Sequence, residues 1–365
     1  MDVHHVTIYK EVGRYAGWPA NYGIWGWGDE LIVGFTVGYH DPDGGFHSRD
    51  RNRPFVGMQG RSVDGGESWE VVDTPFNAPG NKGVSADEHV NKGLVIGDSS
   101  AVDNAPAPCA QGIDLDNPDV ALMCARTGLR TGAQSWFYAS TDRCRSWDGP
   151  YGLPMFDQLG IAARTDYQVT GPETCFLFLT STKSDGEEGK VFCARTADSG
   201  KTFEFVSWIG GEPEGFAIMP ASVRLPDGRF LVASRCRGGG RDTGDERNWI
   251  DLYESDDDCA TWRLLNKAVE ETGTGGNPPA MIRLRDGRIC LTYGFRDRPS
   301  GMRAKLSEDE GRSWGEEIVL RDDGGDHDVG YPRTIQRADG KVVSVYYYND
   351  SSDSERYIAA TIWEA

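Results

Sequence analysis

Ser62-Val-Asp64-Gly-Gly66-Glu-Ser68-Trp69 and Ser307-Glu-Asp309-Glu-Gly311-Arg-Ser313-Trp314 are two copies of one pattern, Ser/Thr-x-Asp-x-Gly-x-Ser/Thr-aromatic. A third copy, Thr196-Ala-Asp198-Ser-Gly200-Lys-Thr202-Phe203, keeps every position. Two more, Ser140-Thr-Asp142-Arg-Cys144-Arg-Ser146-Trp147 and Ser255-Asp-Asp257-Asp-Cys259-Ala-Thr261-Trp262, put Cys where the others have Gly. The pattern describes a turn that bonds to itself. Asp and Ser/Thr side chains satisfy nearby backbone N–H groups, Gly accepts positive φ, and the aromatic ring packs between sheets. These turns are structural elements, away from any chemistry.

Short apolar strands alternate with the turns. Hairpin signals begin at Gly28, Asp116, Gly171, Pro226, Arg285 and Ala338, three of them with Asp-Gly between apolar runs. The last four intervals are 55, 55, 59 and 53 residues, the repeat length of one four-stranded propeller blade. Six such units fill the chain. The first interval is longer, 88 residues, and its excess falls in a Gly/Pro/Asn-rich stretch from about 73 to 114 that reads as a loop insertion. The apolar run Tyr357–Trp363 and the unused strand Val6–Tyr9 are predicted to pair and close the ring, leaving no open sheet edge. The expectation is an all-β, six-bladed β-propeller with Asp-box turns, as one domain over 1–365.

Composition agrees with this reading. The chain has 365 residues, beyond the roughly 250–300 that one compact core supports, so it must split or repeat. It is only 38% hydrophobic, with 47 Gly and 11 Trp, which suits stacked small sheets. The net charge of −19 argues against nucleic acid and against an anionic membrane surface. No apolar run reaches the roughly 20 residues of a membrane-spanning helix, and the first ten residues hold no signal-peptide core. The eight cysteines are scattered without a CxxC, which favours reduced thiols and a cytoplasmic protein; secretion with a leader removed is the alternative. No metal constellation or phosphate-binding glycine loop is visible, so neither metal nor cofactor is expected. A homo-oligomer stays open.

Six blades, Asp turns and Pro-bearing inner strands resemble the sialidase (neuraminidase) superfamily, over the full chain. Four segments carry this likeness at the ring centre: Arg14-Tyr-Ala-Gly-Trp18-Pro19-Ala-Asn21, Met219-Pro220-Ala-Ser222, Asn277-Pro278-Pro279-Ala280 and Gly330-Tyr331-Pro332-Arg333. The resemblance implies an exo-acting, retaining glycoside hydrolase that grips an acidic sugar through three arginines, because a guanidinium meets a carboxylate bidentately. Arg235, ending LVASR, matches the second arginine; Arg296 in TYGFR fits the third, with Arg298 as its rival; Arg14 stands in for the first, although the family's Arg-Ile-Pro is absent. Tyr331 matches the nucleophile, a phenol in place of a carboxylate that the substrate's own charge would repel. The partner Glu of that tyrosine should lie near Met219, which cannot act as a base; Glu214 or Glu212 can reach in from the preceding loop. For the acid, the segment HDPDGGFHSRDRNRP holds Asp50, with Asp41 as runner-up and His40 or His47 as alternatives suited to neutral pH. Trp18 and Asn21 complete the expected sugar contacts. Two other readings compete: a propeller glycosidase or lyase acting on a rhamnoside or a uronic-acid glycan, and a non-catalytic propeller that binds carbohydrate or protein.

Overall fold

Leu177 and Phe178 stand side by side in one strand and are buried in two different cores. The strand Thr174–Thr182 sends Cys175, Leu177 and Leu179 to one side and Phe176 and Phe178 to the other. Val342–Tyr348 does the same, with Val343, Val345 and Tyr347 on one face and Val342, Tyr346 and Tyr348 on the other. A period of two with both faces apolar is what a strand sandwiched between neighbouring sheets requires.

The computed structural model describes residues 3–75, 105–240 and 244–365, and these form six sheets. The first sheet holds β2 (Arg14–Gly17), β3 (Gly23–Trp27), β4 (Glu30–Tyr39), β5 (Val56–Ser62) and β6 (Glu70–Asp73). The second holds β7 (Ala121–Arg126), β8 (Ser135–Ser140) and β9 (Asp148–Gly152); the third, β10 (Tyr167–Gly171), β11 (Thr174–Thr182), β12 (Glu188–Thr196) and β13 (Glu204–Trp208). The fourth is β14 (Phe216–Arg224), β15 (Phe230–Gly238), β16 (Arg247–Ser255) and β17 (Arg263–Val269). The fifth is β18 (Ala280–Arg283), β19 (Ile289–Phe295), β20 (Gly301–Ser307) and β21 (Ile318–Arg321). The sixth joins β22 (Gly330–Gln336), β23 (Val342–Tyr348) and β24 (Tyr357–Trp363) to the N-terminal β1 (Val3–Tyr9).

One apolar cluster lies between each adjacent pair of sheets, six in all, so the sheets are the blades of a closed ring. Closure falls where the sequence places it: β1 pairs antiparallel with β24, Val6 opposite Ala360. Among the described residues the only helical element is the single 3₁₀ turn Pro19–Asn21, and no helix is long and apolar enough to cross a membrane.

Two blades depart from four strands. In the first, β2 and β3 both pair with β4, because the turn at Pro19–Asn21 splits the inner edge in two. In the second, only three strands form among the described residues. The segment before the expected hairpin at Asp116 is irregular; Ile113 is tied instead to the Ser199 carbonyl of the next blade, at 2.7 Å. The other five hairpins join strands as expected. Most of the insertion, 76–104, lies outside the described residues.

All five Asp turns adopt one geometry. Ser62 Oγ accepts the Gly66 N–H at 2.8 Å, and Asp64 Oδ1 accepts the Ser68 N–H at 2.9 Å. Cys144 and Cys259 take φ of 60° and 66° at the glycine position, so these two turns hold a left-handed backbone that glycine reaches without strain.

Candidate active site

Three X-Pro dipeptides meet at the centre of the ring, and each places the residue before proline in the left-handed region: Trp18 (φ 58°), Met219 (φ 53°) and Tyr331 (φ 51°). A non-glycine residue at positive φ is uncommon, and before proline the backbone prefers an extended conformation. Such strain persists only where the surroundings impose it. Here the pairing register breaks at two of the three positions, between Ile218 and Ala221 in β14 and between Gly330 and Arg333 in β22. The bulges turn Met219 and Tyr331 off the pleat. Ala20, Ile218, Met219 and Tyr331 then pack together across the axis.

Asn277 holds the strained turn of β22. It is fully buried; its Oδ1 accepts the Tyr331 N–H at 2.9 Å and the Gly294 N–H at 3.2 Å, and its Nδ2 donates to the Val329 carbonyl at 2.9 Å. Gly330 is obligatory, because φ is 106° and a Cβ there would run into the Asn277 amide.

The Tyr331 phenol faces a cavity of about 160 Å³ lined by Trp18, Asn21, His47, Arg49, Arg126, Leu129 and Arg164. Arg235 Nη1 donates to the phenol oxygen at 2.9 Å, and Arg235 also bonds the Gly275 carbonyl. Arg296 lies 5.4 Å from the Tyr331 ring and donates to the Tyr347 hydroxyl at 2.6 Å. Burial raises the phenol pKa, but the guanidinium charges of Arg235, Arg296 and Arg164 outweigh it, and the net shift is below the ordinary tyrosine value.

His47 forms the other notable feature. Its Nδ1 lies 2.7 Å from Asp328 Oδ1, and Asp328 is wholly buried, also accepting from Tyr347 Oη (2.6 Å) and Arg356 Nε (3.0 Å). Burial lowers the His47 pKa to about 4; Asp328 pulls it up, and Arg49 and Arg296 push it further down. Asp328 itself lies below the ordinary carboxylate range, since the cationic groups around it outweigh its burial. A carboxylate only accepts, so the proton of the neutral imidazole sits on Nδ1 and Nε2 is a lone-pair acceptor on a ring lining the cavity.

The expected site residues therefore divide. Tyr331, Asn21, Trp18 and His47 line the cavity, with Arg235 bonded to the phenol and Arg296 over its ring. Trp18 is 2% exposed, its ring spent on Tyr15, Phe55 and Tyr347, so it offers no open face to a sugar. Arg14 does not reach the centre: its Nε bonds the Gly38 carbonyl at 2.8 Å and its guanidinium stacks on Tyr39. Asp50 caps its own turn, with Oδ1 accepting the Asn52 N–H at 2.8 Å, and Asp41 does the same for Asp43. His40 bonds the Asp353 carbonyl. Glu214 is exposed on the rim, and Glu212 is held there by Ser184. Arg298 is turned outward to the Gly325 carbonyl.

Arg126, Arg164 and Arg49 line the cavity without having been singled out from the sequence. Arg126 carried a readable signal: it ends ALMCAR in blade 2 as Arg235 ends LVASR in blade 4. Arg164 carried none. Its Nη1 pairs with Glu188 at 2.6 Å and its Nε donates to Asn21 Oδ1 at 3.2 Å, contacts that only the folded ring creates. Among the described residues, no carboxylate lines this cavity, and no group of three or more His, Cys, Asp or Glu could hold a metal ion.

Comparison with known structures agrees on the fold. A Dyadobacter fermentans protein of unknown function superposes with a TM-score of 0.73 at 19% identity, each chain covered to 99%. A Trypanosoma rangeli sialidase, solved with sialic acid, gives 0.60 at 12% identity, over 99% of this chain and 58% of the sialidase. An α-L-arabinofuranosidase from Fusarium graminearum, solved with an iminosugar inhibitor, gives 0.58 at 12% identity, covering 99% and 97%. Among curated proteins no sequence match is found. At sequence level, the BNR repeat-like domain matches residues 130–343, a stretch that carries four of the five Asp turns. That span is more than half of the chain, and with its ring of six blades the protein belongs to the BNR repeat-like family.

Proposed function

We propose that the protein is an exo-acting, retaining glycoside hydrolase for a terminal acidic sugar, with Tyr331 as nucleophile. One observation carries this reading: the phenol lies on the wall of an arginine-lined cavity and is hydrogen-bonded by Arg235, with its pKa depressed. The substrate carboxylate is bound by the cavity arginines, which suit it in charge and geometry. Met219 stands where a carboxylate base was expected, with its sulfur 3.8 Å from Arg235 Nη1. In this site guanidinium charge does the activating that a base would do elsewhere.

In the first step the phenol oxygen forms a bond to the anomeric carbon and the bond to the leaving oxygen breaks. The phenol proton passes to His47 Nε2 and then to the leaving oxygen. In the second step His47 takes a proton from water, the hydroxide displaces tyrosine, and the proton returns to the phenolate. Asp328 holds the ring orientation and stabilises the transient imidazolium.

A second reading has a specific observation in its favour. A neutral, Asp-backed histidine beside arginines, with no carboxylic acid among the described lining residues, also suits β-elimination on a uronate. There His47 would take the proton next to the carboxylate, a C=C bond would form, and the leaving oxygen would receive the Tyr331 proton.

A panel of aryl sialosides, glucuronides, rhamnosides and arabinofuranosides, read by chromogen release and product mass, separates the readings. Hydrolysis adds one water and is expected on an acidic sugar; elimination gives an unsaturated product without added water. A 2-fluoro or 3-fluoro acidic sugar should leave a covalent adduct on the Tyr331 peptide. Turnover of Tyr331→Phe at near-native rate rejects the tyrosine mechanism, and no turnover on any substrate would favour a binding propeller.

A further inference from the structure

The far end of the central channel holds a second and larger cavity, of about 550 Å³. Its walls come from β3, β10, β14, β18 and β22, the inner strands of five blades. Two charged groups are set into it. Asp166 is 9% exposed; its Oδ2 accepts the Ser222 N–H at 3.1 Å, while its Oδ1 has no hydrogen-bond partner. Arg333 donates through Nη2 to the carbonyls of Ala20 (2.6 Å) and Thr165, and its Nε has no partner. The Arg333 charge acts on the Asp166 carboxylate, yet each keeps an unused polar atom. Arg224 and Arg283 line the same cavity and are exposed at its mouth.

A buried polar atom left without a partner is costly, more so when it belongs to a charged group. The unused atoms specify a partner. Ionised at neutral pH, Asp166 Oδ1 only accepts, so it calls for a hydroxyl donor. Arg333 Nε only donates, and with Arg224 and Arg283 it places three guanidiniums against one carboxylate, in a chain whose net charge is −19. That local excess of positive charge calls for an anion.

We propose that this mouth is a second ligand site, separate from the Tyr331 cavity, for a small hydroxy acid whose hydroxyl donates to Asp166 and whose carboxylate meets Arg333 and the mouth arginines. Arg333 and the segment it bonds through the Thr165 carbonyl separate the two cavities: Arg164 faces one and Asp166 the other. The site does not depend on the reaction proposed above.

D-gluconate is the probe, with glucose (no carboxylate) and acetate (no hydroxyl) as controls. Crystals soaked in each should show density at Asp166 and Arg333 for gluconate alone. Calorimetry should give at least tenfold weaker gluconate binding at this mouth in Asp166→Asn. There the Ser222 N–H keeps the amide oxygen, and the amide N–H₂ turns a donor towards the ligand hydroxyl. Arg224→Ser with Arg283→Ser changes only exposed side chains and should weaken binding severalfold. Tyr331→Phe should leave it unchanged. Gluconate seen only in the Tyr331 cavity, no binding to the wild type, or undiminished binding in Asp166→Asn would each overturn the proposal. An absence of glycosidase turnover would not.

Discussion

Arg235→Met keeps the length of the side chain near Met219 and removes the charge from the Tyr331 phenol. Tyr331 should then titrate at higher pH, followed by phenolate absorbance against Tyr331→Phe as the blank. Catalysis under the tyrosine mechanism should fall with it, by about the 1.5–3 kcal/mol of a charged hydrogen bond. Asn277→Ala should act on the same readout without touching the phenol. It strands the Tyr331 and Gly294 N–H groups and frees the strained turn, so the phenol loses its register with Arg235, at a stability cost of about 1–3 kcal/mol per stranded group. Asp166 gives a prediction of opposite sign to an ordinary carboxylate. Burial pushes it up to about 6 from an ordinary 3.8, despite the pull of Arg333 and the Ser222 hydrogen bond. The folded protein then holds a proton that the unfolded chain has lost between those values, so this group's contribution to stability declines as pH rises through that window. Ionised Asp166 costs about 3 kcal/mol at neutral pH. Asp166→Asn should therefore gain more in urea midpoint over the wild type at pH 7 than at pH 4. That variant should fold well, which makes it a clean probe of the channel mouth.

At the scale of the element, the Asp turns were legible because each one closes its hydrogen bonds within a few residues of itself. Nothing distant is needed to recognise Ser62, Asp64 and Ser68 as one unit. Hydrogen bonds to Ser68 and Ser62 hold Asp64 down to about 2, against slight burial, and the Asp residues of the other four turns are also held below the ordinary range. A depressed carboxylate stabilises the fold above its unfolded value and loses that contribution as pH falls towards the folded one. Thermal stability should thus drop between about pH 4 and pH 2, and Asp309→Asn should flatten its share of that drop. The inner strand of blade 2 was not legible. Asp116-Asn-Pro118-Asp119 reads as a hairpin turn, but the chain before it follows the neighbouring blade through Ile113 instead of pairing with β7. Local turn chemistry cannot foretell that choice. The site was half legible for the same reason: Tyr331, Arg235 and Arg296 sit at fixed offsets from their hairpins, whereas the Asp328–His47 pair joins residues 281 positions apart. Asp50 and Glu214 lie away from the cavity because sequence distance to a turn says nothing about which way a loop side chain faces, and Arg14 does because at the start of β2 it turns to Gly38 and Tyr39.

For the whole molecule, the decisive contact is the pairing of β1 with β24. Every residue of β24 is buried, and β1 covers its outer edge. Removing residues up to Tyr9 would expose that edge and strip Ile8 from the core between blades 6 and 1. The shortened chain should show a lower denaturation midpoint and concentration-dependent light scattering, because an open apolar strand edge recruits other chains. A soluble, equally stable truncation would mean that the blades, and not the clasp, hold the ring.

The same clasp sets an order on how the protein is made. Of the ring's strands, β1 is the first to leave the ribosome, and its only sheet partner among the described residues, β24, is made after all the others. While the blades are being translated, the nascent chain carries an unmatched strand whose mate has not been synthesised. Blades 1 to 5 can stack as they emerge, but the ring cannot lock until the end. A premature stop between Arg321 and Tyr357 would then release a polypeptide with five blades built and its first strand still searching, a species that cellular quality control would have to clear.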